Sequence, residues 1–307
     1  MFFWMGRKMN RKLKTTGFTI AELLTVVAVL AILIGILMPA LSMAKKMARE
    51  TKQKAQIHSI DIGLNVFKND HGDYPPSHGD NGSGGIDYGY CGAQTLTEAL
   101  MGQDLLGFNP ESVFKEGDTD NVTGYPADLT TVTGKANLES RKGPYLEREN
   151  IGVFEAKDIF ASNFLNNGLA GDRYVICDVF AAANRTITLP NGDTKTFKVG
   201  TPILYFRANI AKTEIDKNGP LNSIYNIYDN QLLILQKTVA DNKDHEGFLK
   251  KGSADPDNFY IYIEDPLVST SSRKRPIRPD TFLLISAGYD GLYGTADDIC
   301  NFEPNIE

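Results

Sequence analysis

The most constraining feature of the chain is the stretch Phe18–Ala44, FTIAELLTVVAVLAILIGILMPALSMA, whose 27 residues carry a single charge, Glu22. As a helix it extends about 40 Å, longer than the roughly 30 Å hydrocarbon core of a bilayer. A cleaved secretory signal has a shorter apolar stretch and a small-residue cleavage site beyond it. The stretch therefore reads as a membrane-spanning helix rather than a buried core helix. Charge does not orient it. Arg7, Lys8, Arg11, Lys12 and Lys14 precede it, and Lys45, Lys46, Arg49, Lys52 and Lys54 follow, offset by Glu50. The positive-inside rule comes close to a tie.

Charge is nevertheless uneven. Residues 1–17 hold five bases and no acid, +5 against −6 for the whole chain of 307 residues, so the remainder carries −11. A basic leader before an acidic body reads as a targeting segment. The acidic body argues against a partner bound by phosphate neutralisation, so no nucleic acid is expected.

Past the span, Ile57, Ile60, Leu64 and Phe67 recur at helical period. The helix is expected to continue to about Asn69 with this stripe under a globular domain. Asp70-His71-Gly72 and Tyr74-Pro75-Pro76 should stop it. The organisation is thus a leader (1–17), a span (18–44), its continuation (45–72) and a body (73–307).

In the body, residues 77–92 hold six glycines and read as a loop. Thr95–Leu106 reads as a helix ended by Gly107, and 109–143 as an irregular insertion. Asp158–Leu165 reads as a short helix capped by Asp158. Strands are predicted at 174–180, 203–207, 259–263 and 282–286. Thr186–Leu189 and Lys195–Val199 form a predicted hairpin about Asn191-Gly192. The fold class is α+β with an antiparallel sheet.

Chemistry-bearing motifs are few. No GxxxxGK[ST], Gly-x-Ser-x-Gly, His-Glu-x-x-His or Cys-x-x-Cys is present. Asp80 and Asp87 lack EF-hand spacing, and His71 and His78 lack a third ligand at a telling spacing. The basic run 273–279 reads as a solvated loop. Cys91, Cys177 and Cys300 allow at most one internal disulfide, with the pairing open. Cys177 reads equally well as a small buried apolar residue. Asp290, Asp297 and Asp298 bring three carboxylates within nine residues, with Gly288, Gly291 and Gly294 interleaved. The cluster reads either as a calcium loop or as a turn whose aspartates accept local hydrogen bonds.

Two stretches carry a family resemblance. The junction Lys14-Thr15-Thr16-Gly17-Phe18-Thr19-Ile20-Ala21-Glu22 resembles the class III signal of type IV pilins and type II secretion pseudopilins. There a basic leader ends in Gly, an aromatic follows, and a glutamate is fifth in the mature chain. Pro39 matches the proline late in the family's apolar run. The stretch Ser286-Ala287-Gly288-Tyr289-Asp290-Gly291 through Asp297-Asp298-Ile299 resembles the C-terminal calcium loop of G-type major pseudopilins. Gly143-Pro144-Tyr145-Leu146 and Pro202–Asn209 are further family-like fragments.

The resemblance implies cleavage after Gly17 by a prepilin peptidase and N-methylation of Phe18. It implies a role for Glu22 in neutralising a neighbouring subunit's terminus during assembly. It implies Ca²⁺ held by Asp290, Asp297 and Asp298, and a body outside the cytoplasmic membrane, where thiols meet oxidising conditions. The implied partners are other pseudopilin subunits in a filament, the peptidase, the inner-membrane assembly platform and the membrane. The implied work is structural and not enzymatic. The chain departs from the family at Asp178-Val179-Phe180, where an Asp-Pro-Trp-Gly turn is usual, and in large insertions at 77–140 and 210–255. A membrane-anchored extracytoplasmic enzyme or an adhesin is the competing expectation.

Overall fold

The computed structural model describes residues 17, 19–80, 85–115, 125, 130–160, 168–180, 182–189, 191–241, 243–250 and 253–306. Residues 1–16 of the leader expected at 1–17, Phe18, and parts of the irregular loop expected at 109–143 and of the helix expected at 158–165 lie outside them. The described residues give a long apolar helix followed by an α+β body with small antiparallel sheets. By compactness the chain divides into two units, 1–47 and 48–307.

Helix α1 runs Ile20–His71, 52 residues, through Pro39, and ends before Gly72. From Ile20 to Arg49 every residue is exposed. Such a helix is long and apolar enough to cross a membrane. Farther along it, Ile57, Ile60, Leu64 and Phe67 are at most 4% exposed, so the expected stripe is buried. Gln53 and Gln56 extend that stripe. Gln53 Oε1 accepts the Val179 amide and Gln56 Nε2 donates to the Cys177 carbonyl, each at 2.9 Å.

The body is organised by a three-stranded antiparallel sheet in which β10 (Phe282–Ser286) lies between β7 (Leu204–Arg207) and β11 (Ile299–Cys300). All five residues of β10 are buried. Strand alternation sends Phe282 and Leu284 into one apolar cluster with Ile57, Ile60 and Leu64, and Leu283 and Ile285 into another with Phe259 and Ile263. The sheet is therefore covered on both faces. On one lie α1 and α2 (Gly92–Met101). On the other lie α5 (Gln231–Ile234) and α6 (Pro256–Ile263).

That second layer overturns one strand assignment. Residues 259–263 belong to α6, a helix, because Asp255 accepts the Asp257 amide as N-cap and Pro256 stands in the first turn. Phe259, Tyr260, Tyr262 and Ile263 are buried while Ile261 is 39% exposed. This is a helical stripe written in residues that favour strands.

Other expectations are corrected similarly. The glycine-rich 77–92 region is not a plain loop. It contains the antiparallel pair β1 (His78–Asp80) and β2 (Ile86–Cys91). Helix α2 begins at Gly92 rather than Thr95 and stops at Met101, before Gly102. Gly92 is required because a Cβ there would lie 2.2 Å from the Tyr205 carbonyl oxygen. The 109–143 insertion includes α3 (Val132–Ser140), capped by the Thr131 hydroxyl. Asp158 is not a cap: α4 is Ala156–Ile159 with Glu155 at its N-cap position. The strand expected at 174–180 is only β4 (Tyr174–Cys177), paired with β3 (Gly152–Glu155), for which no expectation existed. The expected hairpin is present as β5 (Ala183–Thr188) and β6 (Thr194–Val199). A small pair, β8 (Leu249–Lys250) and β9 (Ser253–Ala254), completes the strands.

The basic run 273–279 is stitched into the body rather than merely solvated. Lys274 pairs with Glu264 at 2.7 Å and Arg278 with Asp61 at 3.4 Å. The Ile277 amide donates to the Ile263 carbonyl.

Candidate functional site

At the start of α1, Glu22 closes a reciprocal cap. Its Oε2 accepts the Thr19 amide at 2.9 Å and the Thr19 hydroxyl at 2.8 Å, and the Thr19 hydroxyl accepts the Glu22 amide at 3.2 Å. This is the Thr-x-x-Glu arrangement that satisfies orphan donors at a helix N-terminus. Glu22 thus has a local partner that spacing from Gly17 did not reveal, although Thr19 three residues earlier signalled it. Gly17 is exposed.

The C-terminal acidic loop connects β10 to β11. Gly288, Gly291 and Gly294 take φ of 65°, 73° and 83°, so the loop curls as its glycines allow. Asp297 Oδ2 accepts the amides of Tyr289 and Asp290 at 2.7 and 3.0 Å, and Asp290 Oδ1 accepts the Leu292 amide at 2.8 Å. Asp298 Oδ2 accepts the Tyr262 hydroxyl at 2.7 Å and the Gly294 amide at 2.8 Å. The aspartates therefore accept local hydrogen bonds, one of the two arrangements expected for the loop.

Their electrostatics differ. Asp290 and Asp297 influence each other's charge. Burial, with Asp297 beside it, raises Asp290. Burial also acts on Asp297, but hydrogen bonds from Thr295 and the amides of Asp290 and Tyr289 prevail and lower it. Burial, aided by the Asp297 and Asp290 charges, pushes Asp298 up to about 8. The remaining oxygen of Asp298 meets the Thr295 hydroxyl at 3.4 Å. Among the described residues, no group of three His, Cys, Asp or Glu side chains converges as a ready metal site. Asp297 has both oxygens engaged by its own loop, and Asp298 is turned towards Tyr262.

The residues supporting this loop were missed. His245, 1% exposed, accepts the Tyr293 amide through Nδ1 at 3.3 Å and lies over the Tyr293 ring at 4.5 Å. Burial lowers its pKa to about 4, so it remains neutral and able to accept. The Tyr293 hydroxyl donates to the Pro202 carbonyl at 2.5 Å. Phe248 packs under Gly294 so closely that a Cβ there would lie 2.7 Å from its ring. Residues 245–248 belong to the segment 210–255, so that segment buttresses the loop. A lone His and a lone Phe in a polar segment carry no periodic signal.

Other candidates separate. His71 packs on Phe67 and Phe108 with Nε2 3.2 Å from the Tyr145 hydroxyl, and His78 Nδ1 lies 3.1 Å from the Gly79 carbonyl. Asp87 accepts the Gly89 amide. All three cysteines are free thiols. Burial pushes Cys91 up to about 12 and also raises Cys177, so neither offers a thiolate at neutral pH.

The chain matches no known family model, no curated protein and no solved structure.

Proposed function

We propose that the protein is a structural subunit of a type II secretion pseudopilus or a related type IV pilus-like filament. The observation that carries this reading is the capped helix from Ile20, apolar and exposed along its whole first half, beginning just after Gly17. So much apolar surface needs a bilayer or packed copies of itself around it. Before cleavage the leader faces the cytoplasm, and the body lies outside the inner membrane. Cleavage after Gly17 yields a new N-terminus at Phe18. Glu22 then passes from capping its own helix to pairing with a neighbour's terminal ammonium, because a charge in lipid requires a partner. The α5 and α6 layer enlarges the body on the sheet face away from α1.

Calcium belongs to the same reading. Asp290 and Asp297 would hold it with loop carbonyls, and Asp298 would join by turning away from Tyr262. The ion would offset the charges of the two carboxylates and order the loop.

The test is processing and assembly. Trp4 is the only tryptophan, so protein cleaved after Gly17 is Trp-free with all 13 tyrosines retained. Intact mass and tyrosine-only emission of membrane-extracted protein read this directly, and Trp4 retained in assembled protein overturns the proposal. Glu22→Ala should still insert and be cleaved, yet enter filaments poorly. Normal incorporation of that variant would remove the assembly role of Glu22.

A further inference from the structure

The body also contains a cavity that the filament reading does not use. It has a volume of about 280 Å³ and lies between the start of β1, the chain following β7 and the turns at 220–230. Asp229 lines it and is 3% exposed. Asp229 Oδ2 accepts the Ser77 hydroxyl at 2.5 Å, while Oδ1 is buried with no hydrogen-bond partner among the described residues. Ser77 and Asp229 lie 152 positions apart, so no local turn explains the pairing.

A buried carboxyl with one oxygen unmade is costly in itself, and native proteins rarely keep one without a use. Burial pushes Asp229 up to about 8, opposed by the Ser77 hydrogen bond. Arg207 also lines the cavity, but its guanidinium is paired with Asp73. Its charge is thereby compensated, which leaves Asp229 as the uncompensated acid.

The rim is apolar. Ile86, Ile210 and Leu221 line the cavity and are 40%, 73% and 57% exposed. Large side chains left in water around a polar floor mark a surface that receives something apolar. Together the floor and rim describe a ligand with an alkyl stem and a cationic hydrogen-bond donor at its tip. One orphan oxygen suits a compact ammonium, whereas a guanidinium fork needs two acceptors and one is already held by Ser77. The volume falls just below the roughly 300–1,000 Å³ of drug-sized pockets, which suits a short chain.

We propose that this cavity binds a primary alkylammonium group, its nitrogen on the Asp229 carboxylate and its stem against Ile86, Ile210 and Leu221. A free aliphatic amine and a lysine side chain of a polypeptide present the same chemistry. The proposal does not rest on the filament reading, since the family resemblance supplies no role for Ser77, Asp229, Ile86, Ile210 or Leu221.

The experiment is calorimetric titration of the full chain in nanodiscs with n-pentylammonium, pentan-1-ol, pentanoate and the peptide Gly-Lys-Gly, at pH about 8. Saturable one-to-one binding of pentylammonium is expected, at least about tenfold tighter than pentanol, with pentanoate inert. Tighter binding of the peptide than of the amine assigns the site to lysine side chains, and the reverse assigns it to free amines. Asp229→Asn should weaken amine binding at least about tenfold. Ile210→Trp, at an exposed rim position, should block the mouth without touching the core, and serves if the Asp229 variant folds poorly. Equal affinity for pentanol, binding unchanged in both variants, or no saturation up to about 10 mM would each overturn the proposal.

Discussion

The acidic loop and the Asp229 cavity make opposite use of a carboxylate. In the loop, three aspartates lie within nine residues, and the turn that carries them supplies their donors, from Tyr289, Asp290, Leu292 and Gly294. In the cavity, Asp229 meets Ser77 across 152 positions, and its other oxygen is left unpartnered. A loop can satisfy its acids by curling its own amides onto them. An acid carried into a core by tertiary packing has only what its neighbours happen to bring. The first arrangement is satisfied close at hand, and the second leaves a buried acceptor unmet at a cost in stability.

The sharpest break in this comparison comes from Phe248, which supports the loop and takes no part in the cavity. Phe248→Ala deletes a fully buried ring and should cost about 3–5 kcal/mol in chemical denaturation. It should also weaken the response to calcium while leaving amine binding unchanged. An equal loss at both sites would show that the segment 210–255 acts as one unit.

Calcium is expected to have the next largest effect. At a free concentration a hundred times Kd, the ion should stabilise the metal-free full chain by about 2.7 kcal/mol. For a body of this size, that raises Tm by roughly 5–10 °C. Asp290→Ala should abolish the shift and leave the cavity untouched. The same Tm with calcium and with chelator would remove the metal from the loop.

The smallest effect sharpens the contrast through pH. Asp229 has a folded pKa of about 8, raised from 3.8, so its contribution to stability is complete below about pH 4 and is lost as pH rises towards 8. His245 has the opposite sign. Its folded pKa is lowered to about 4, so its contribution is present above about pH 6.5 and is lost as pH falls. Asp229→Asn keeps the shape, removes the ionisation and should raise stability at pH 8, with little change at pH 4. Denaturant midpoints at the two pH values measure it. An unchanged profile would mean that Asp229 does not titrate in this window.

Legibility followed the range of the interactions. The stripe Ile57, Ile60, Leu64 and Phe67, the β5–β6 hairpin and strand β10 were readable because each is a periodic or turn-coded pattern. Residues 259–263 were misread because their aromatic and β-branched side chains favour strands, while the signal that decided the matter, Asp255-Pro256, stood just before them. The loop aspartates were visible as a cluster, but the buttress of His245 and Phe248 was not.

By itself, then, the sequence determined a helix long and apolar enough to span a bilayer, its buried continuation, an α+β body, and an acidic, glycine-turned loop near the C-terminus. These are local properties, fixed by side-chain periodicity and backbone freedom within a few turns of chain. Tertiary structure alone decided that the central sheet is covered on both faces, that Phe248 and His245 stand beneath the loop, and that Ser77 and Asp229 share a cavity wall. The reason is that burial and hydrogen bonding across a hundred or more positions depend on which surfaces meet, and no short window of sequence carries that information.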